Sequence, residues 1–327
     1  GGHHARCASR GLGVTRVAAV DCGTNSIRLL VSDIDDSGRL TDVHREMRIV
    51  RLGQGVDATG EFAPEAIERT RAALAAYTQL MTSLGVERVR MVATSAARDV
   101  SNRDVFFAMT AELLGAVIPG AIAEVITGTE EAALSFAGAV GELDPAAAPF
   151  VVVDLGGGST ETVIGDSSGV EASFSADIGC VRLTERCLHS DPPVADEIAA
   201  AREAVRAQLA RTFEVVPVRT AHTWVGVAGT FTTLAALAHR LDVYDPAAIH
   251  LSRVPLSRLA EVTSSLIAMP RAQRAALGPM HEGRVDVIGG GSIVVEELAR
   301  ELSERAGITE LVVSEHDILD GIAISLR

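Results

Sequence analysis

FVVVDLGGGSTETVIGD, residues Phe150 to Asp166, is the stretch from which the fold of this chain is read. An apolar, β-branched run leads into Asp154, glycines follow at 156–158 with Ser159 and Thr160, and Glu161 opens a second apolar run through Val163 and Ile164. The pattern predicts strand, tight turn, strand. Glycine admits positive φ and carries no Cβ, so several amide N–H groups can converge on an anion with no side chain in the way. Asp154 and Glu161 flank that turn at a spacing that puts both carboxylates beside it. A turn that holds phosphate while its neighbours hold a hard cation suits Mg²⁺-assisted phosphate chemistry, with Asp154 and Glu161 as the candidate metal ligands.

The pattern occurs twice. VAAVDCGTNSIRLLVSD, Val17 to Asp33, aligns without gaps, so that Asp21 matches Asp154, Gly23 matches Gly156, Ser26 matches Ser159 and Asp33 matches Asp166. Two copies predict two similar halves. Each continues into a β-type run, unlike a P-loop or a dinucleotide-binding turn, which opens a helix. The chain also contains no lysine, all 29 basic residues being arginine. That excludes a lysine-dependent Walker site, a Schiff base and a lysine general base.

A length of 327 residues predicts two domains, and 47% hydrophobic with 22% charged residues is the balance of a globular protein with a sizeable core. The formal net charge of −14 argues against nucleic acid or an anionic membrane as the main partner, so phosphate must be handled locally by amides, a few arginines and metal. Cys7, Cys22, Cys180 and Cys187 form no C-x-x-C pair, which points to neither a zinc knuckle nor a disulfide framework. No apolar run approaches the roughly 18 residues of a membrane span, and a reducing cytoplasm fits best. Residues 1–14, Gly-rich with His3 and His4, are expected to be a disordered leader or a cloning remnant.

Elsewhere the spacing predicts a strand over 40–50, an amphipathic helix from Pro64 to Leu84 stopped by Gly85, and a buried strand from Arg88 to Ala93. The turn Thr94 to Arg98 follows that strand at its C-terminal end, where open α/β sheets bind ligands. Its Arg98 either forks onto a phosphate or pairs with Asp99 or Asp104. A helix is expected from about Thr129, with Thr129 as cap and Glu130 and Glu131 in the first turn, where dipole compensation alone would account for them. Thr223 to Ala228 predicts a strand feeding a Gly/Thr turn, either an anion seat or a helix capped by Thr230. The triple glycine 289–291 is read as close helix packing, and an amphipathic helix is expected from Glu315 to Leu326.

Five stretches in order, VAAVDCGTNSIRLLV, MVATSAARDVSNRDVFF, EVITGTEEAALSFAGAV, VVVDLGGGSTETVIG and VGVAGTFTTLAAL, resemble the exopolyphosphatase and guanosine pentaphosphate phosphohydrolase (Ppx/GppA) family, a branch of the sugar kinase, heat-shock and actin superfamily. The resemblance covers roughly residues 15 to 327. It implies an α/β fold of two RNase H-like lobes with mixed sheets flanked by helices and an interlobe cleft: lobes at 15–130 and 131–313, with 314–327 a C-terminal helix packing back on the first. It also implies phosphate contacts from Asp21, Gly23, Thr24, Asn25 and Ser26, from Arg98 and Asn102, and from Gly156, Gly157, Gly158, Ser159 and Thr160. Glu131 matches the family's catalytic glutamate, with Glu130 beside it, and Asp154 and Glu161 look like the acidic pair that places Mg²⁺. SEHDILDG near the C-terminus departs from the family's Ser-x-x-Gly-Leu-Arg-x-Gly pattern at Asp317 and Leu319, and the HD-type helical region of longer members is not expected here.

The implied activity is hydrolysis of the terminal phosphoanhydride of polyphosphate. Hydrolysis of the 5′ γ-phosphate of guanosine pentaphosphate is the alternative within the same chemistry. A kinase of the same architecture and a non-hydrolysing polyphosphate or alarmone sensor are alternatives from other classes, and the helix faces near the C-terminus permit a homodimer.

Overall fold

A computed structural model of the chain describes residues 13–98 and 100–327. Apart from Gly13 and Val14, the expected leader, with His3, His4 and Cys7, lies outside the described residues. The chain divides into two units, one running to Leu134 and including Ile318–Arg327, the other Ser135–Asp317.

The first unit is built on β1 (Thr15–Cys22), β2 (Ser26–Ile34), β3 (Leu40–Ile49), β4 (Arg88–Ala93) and β5 (Glu124–Val125), in the order β3-β2-β1-β4-β5. β1, β2 and β3 are antiparallel neighbours, and β4 and β5 continue the sheet in parallel. β1 is apolar almost without interruption because both of its faces are covered. Ala18, Val20 and Cys22 pack under Leu74, Tyr77 and Met81 of the helix Pro64–Leu84, while Val17 and Ala19 meet Leu134, Ile318, Leu319 and Ile322 on the opposite face. Each large apolar side chain so buried contributes about 1.5–3 kcal/mol. Asp21 continues the Val17, Ala19 alternation and therefore lies on that opposite face. Pro64 starts its helix, and Gly85, at φ 69°, ends it by donating its N–H to the carbonyls of Met81 and Thr82.

The second unit contains β6 (Phe150–Leu155), β7 (Thr160–Asp166), β8 (Gly169–Ala176), β9 (Thr223–Val227), β10 (Ser252–Pro255) and β11 (Glu310–Ser314), in the order β10-β11-β9-β6-β7-β8. Read from β8 inward, three antiparallel strands are followed by two parallel ones, the order of the first sheet, with β10 added at the edge. The duplicated sequence is thus a duplicated α/β fold, two mixed sheets flanked by helices. The triple glycine lies inside the helix Ile288–Ala306: a Cβ at Gly290 would sit 2.5 Å from Thr184 Oγ1, and one at Gly291 2.7 Å from Thr230. Close helix approach is the reason for these glycines, as the sequence suggested.

Three local expectations are corrected. The last helix is Ile318–Ile324, shorter than 315–326, because the Glu315 N–H donates to His250 Nδ1 and the His316 N–H to Ser314 Oγ, each at 3.1 Å, outside any helical ladder. The helix Gly128–Val140 is capped by Thr127 and not Thr129: the Glu130 N–H donates to Thr127 Oγ1 at 3.1 Å. Thr230 lies within the helix Gly229–Ala238, fully buried, and the cap position is Ala228, with a positive φ of 83°. Among the described residues no helix is long and apolar enough to cross a membrane, and Cys22, Cys180 and Cys187 are free thiols.

Candidate functional site

The two glycine hairpins close identically. Gly23 N–H donates to Ser26 O at 3.0 Å in the first, and Gly156 N–H to Ser159 O at 3.0 Å in the second. Register then places Asp21 directly across from Arg28, and Asp154 directly across from Glu161. Cross-strand partners on one face are neighbours, so each pair must interact. In the first hairpin the interaction is an ion pair: Arg28 Nη2 donates to Asp21 Oδ2 at 2.9 Å, with Asp21 only 8% exposed. In the second, two half-buried carboxylates face each other, and Glu161 Oε1 accepts from Ser159 Oγ and Ser175 Oγ, both at 2.8 Å. Opposed like charges are destabilising, and an all-oxygen donor set suits a hard divalent cation, so Asp154 and Glu161 fit the group the sequence implies.

The second loop is held from behind by the helix Cys180–Cys187. Its first amides donate to the loop carbonyls, Cys180 to Gly156 and Val181 and Arg182 to Gly157, all at 3.0 Å, and Arg182 Nε donates to Gly158 O at 2.9 Å. In a trans peptide the N–H points opposite to the preceding C=O. The amides of Gly157, Gly158 and Ser159 are therefore turned away from that helix as an open nest. Only glycine serves at 179, where a Cβ would lie 2.3 Å from Gly157 O. Thr160 stands apart from the other loop residues: its hydroxyl is buried and donates to Ile178 O at 2.8 Å.

In the first loop the carbonyls of Thr24 and Asn25 are occupied, accepting from Gly53 N at 2.9 Å and from Val50 N and Arg51 N at 3.0 and 2.9 Å. The same peptide-plane argument turns the Asn25 amide away from the 50–53 segment, and the Thr24 and Asn25 side chains are exposed. The Thr94 N–H donates to Cys22 O at 3.2 Å, tying the small turn to this loop. Burial, with the Asp21 charge adding to it, pushes the Cys22 thiol well above its ordinary pKa, so no thiolate is available beside Asp21.

Arg98 and Glu131, 33 positions apart, meet directly: Arg98 Nη2 donates to Glu131 Oε2 at 2.5 Å, and its Nε holds Ile126 O at 3.0 Å. The adjacent glutamates diverge, since Glu130 Oε1 accepts from Arg90 Nη2 at 2.7 Å. Asn102 brackets the Phe62 backbone, accepting from its N–H at 2.8 Å and donating to its carbonyl at 3.0 Å. Both ends of that amide are thereby engaged. Asp21, Gly23 to Ser26, Arg98, Asn102, Glu130 and Glu131 belong to the first unit, and Asp154, Gly156 to Thr160 and Glu161 to the second. Sequence reasoning missed Arg28 and Arg182. Arg28 was within reach of it, since the gapless repeat sets it at the position of Glu161.

Two glycine hairpins on duplicated mixed sheets, one carrying paired carboxylates, define a phosphate-handling protein, and the chain belongs to the Ppx/GppA phosphatase family, whose profile matches residues 30–326. The resemblance read from the motifs is thereby confirmed. Among particular relatives, the chain is 70% identical over 318 residues to Exopolyphosphatase 2 of Mycobacterium tuberculosis, covering 96% of this chain and 99% of that one. It is 31% identical over 218 residues to the guanosine-5'-triphosphate,3'-diphosphate pyrophosphatase of Photobacterium profundum, covering 66% of this chain and 42% of that protein. The crystal structure of the type II variant of the Aquifex aeolicus Ppx/GppA phosphatase matches with a TM-score of 0.84 at 30% identity, covering 95% of this chain and 99% of that one.

Proposed function

We propose that this protein hydrolyses the terminal phosphoanhydride of inorganic polyphosphate and releases orthophosphate. The observation that carries the reading is the in-register Asp154–Glu161 pair beside three outward-turned amides. The 70% identity to Exopolyphosphatase 2 supports the substrate class.

In this reading the amides of Gly157, Gly158 and Ser159 hold oxygens of one phosphoryl group. The first loop, Gly23 to Ser26 with Asp21 neutralised by Arg28, is a second seat for phosphoryl oxygens. Asp154 and Glu161 would hold Mg²⁺ or another hard divalent cation. When bound, that ion supplies neutralisation of charge on the transferring phosphoryl group. Glu131 orients a water and takes its proton as the water oxygen bonds to phosphorus; the bridging P–O bond breaks, and the shortened chain leaves as the anion. Arg98 fixes the Glu131 carboxylate and offers its guanidinium to a phosphoryl oxygen. Loose phosphoryl transfer needs positioning and charge neutralisation more than covalent help, so a lysine-free site is chemically adequate. The free thiols are in keeping with a cytoplasmic location.

Hydrolysis of the 5′ γ-phosphate of guanosine pentaphosphate is the second reading, favoured by the relative from Photobacterium profundum. Orthophosphate release from polyphosphates of defined length and from guanosine pentaphosphate, each with and without Mg²⁺, separates the two. The first reading expects the larger kcat/KM on polyphosphate. A larger kcat/KM on the nucleotide would transfer the assignment, and release from neither substrate would end it.

A further inference from the structure

The helix Cys180–Cys187 carries two guanidiniums that the proposed reaction leaves unused. Arg182 and Arg186 are one turn apart, so they project from the same helical face with a rise of about 6 Å between them. With Gly157, Gly158, Val181 and Glu185 they line an open groove of ≈ 450 Å³ that begins at the second glycine loop. Arg182 is anchored there by its Nε bond to Gly158 O at 2.9 Å, which leaves the two terminal nitrogens of its planar fork to be placed at the groove. Among the described residues neither Arg182 nor Arg186 pairs with a carboxylate, although acidic residues outnumber arginines 43 to 29. Glu185, between them in sequence, also faces the groove and makes no ion pair with either.

We propose that this groove is a chain-binding track for linear inorganic polyphosphate. Arg182 takes the phosphoryl groups next to the second loop, and Arg186 takes those further along the chain. The inference rests on the reading of the loop as a phosphate cradle and adds chain-length selectivity to it. A short chain held in the cradle reaches Arg182 only. A long chain engages both guanidiniums, and bidentate guanidinium–phosphate bonds are the strong kind. Glu185 sets a limit on the track, because it repels a chain that lies too close to the middle of the helix face.

The test compares tripolyphosphate with long-chain polyphosphate on the full chain carrying Arg182→Gln, Arg186→Gln or, as a control on a distant exposed arginine, Arg211→Gln. Arg186→Gln should raise KM for the long chain about 3- to 10-fold, the loss of one charged contact, with kcat and the tripolyphosphate KM unchanged. Arg182→Gln should raise KM for both substrates, and Arg211→Gln for neither. Equal effects of Arg186→Gln on both substrates, or an equal loss with Arg211→Gln, would overturn the track. Equilibrium binding of long-chain polyphosphate to the same variants, without divalent cation, keeps the two claims separate. If the wild-type chain bound polyphosphate through Arg186 but released no orthophosphate, the hydrolytic reading would fail and the track would stand.

Discussion

Asp154 and Glu161 are direct cross-strand partners, while the equivalent positions of the first hairpin, Asp21 and Arg28, form an ion pair at 2.9 Å. The two copies have the same turn and the same closing hydrogen bond, and they differ in the sign of one charge. Where the partner is arginine, the aspartate is neutralised from within and the loop is left to its amides. Where the partner is glutamate, two carboxylates share the position, an all-oxygen arrangement that suits an added hard cation. One exchange therefore separates a loop suited to phosphate alone from a loop suited to phosphate with a cation.

Glu161→Arg should recreate the Asp21–Arg28 arrangement in the second hairpin. Replacing opposed like charges by an opposite pair is expected to raise the metal-free unfolding free energy by about 0.5–1 kcal/mol. The same change should abolish Mn²⁺ binding, followed by electron paramagnetic resonance, together with orthophosphate release. A variant that kept cation-dependent turnover would remove Glu161 from the cation site.

Arg45 and Asp320 form another ion pair within the first unit. Arg45 Nη2 donates to Asp320 Oδ1 at 2.5 Å, joining β3 to the last helix, and Asp320 is 2% exposed. Burial works against the Arg45 charge, but the Asp320 and Asp42 carboxylates more than offset it and hold the guanidinium pKa above its ordinary value. Arg45→Met should cost about 2 kcal/mol in urea unfolding. That is less than the ~3–5 kcal/mol of a fully buried pair, because the Arg45 side chain remains 35% exposed. An unchanged urea midpoint would show that the pair contributes nothing to stability.

Both tyrosines of the chain should resist ionisation. Burial, followed by the charge of Glu46, pushes Tyr77 up to about 12, and burial, followed by its hydrogen bond to Glu315, pushes Tyr244 up to about 12. Tyr77 is fully buried and donates to Ile27 O at 2.7 Å. A folded pKa above the ordinary tyrosine value of 10.0 means that the native state keeps its proton longer than the unfolded chain does. The Tyr77 contribution is thus complete below pH 10 and is lost as pH rises toward 12. Phenolate absorbance should stay flat through pH 10.5 in the native protein and appear at about pH 10 in urea. Native absorbance rising at about pH 10 would contradict the burial of Tyr77 and the hydrogen bond of Tyr244 to Glu315.

What the sequence made legible were features written within one segment. The hairpins follow from their own glycines and β-branched flanks, the helix Pro64–Leu84 from its Pro64 start and Gly85 stop, and the packing role of the triple glycine from its place in an apolar helix. Contacts across long separations were not legible. Asn102 is claimed by the Phe62 backbone 40 positions away, and Arg98 meets Glu131 across 33 positions. Neither distance leaves a periodic signal. The start of the last helix was not legible because the capture of the Glu315 amide by His250 depends on a ring brought from 65 positions away. Thr127 and Thr129 are equally good caps in sequence, and backbone geometry chose between them.

The most direct test of the account is orthophosphate release from polyphosphate in Mg²⁺ by the wild-type chain and by Glu131→Gln, with Glu130→Gln as its neighbour control. Glu131, held by Arg98, is predicted to be the base, so its loss should lower kcat by about 10²–10⁴-fold. Glu130→Gln, which removes one of the two carboxylates on Arg90, should retain most activity. Full turnover by Glu131→Gln would contradict the account at its centre.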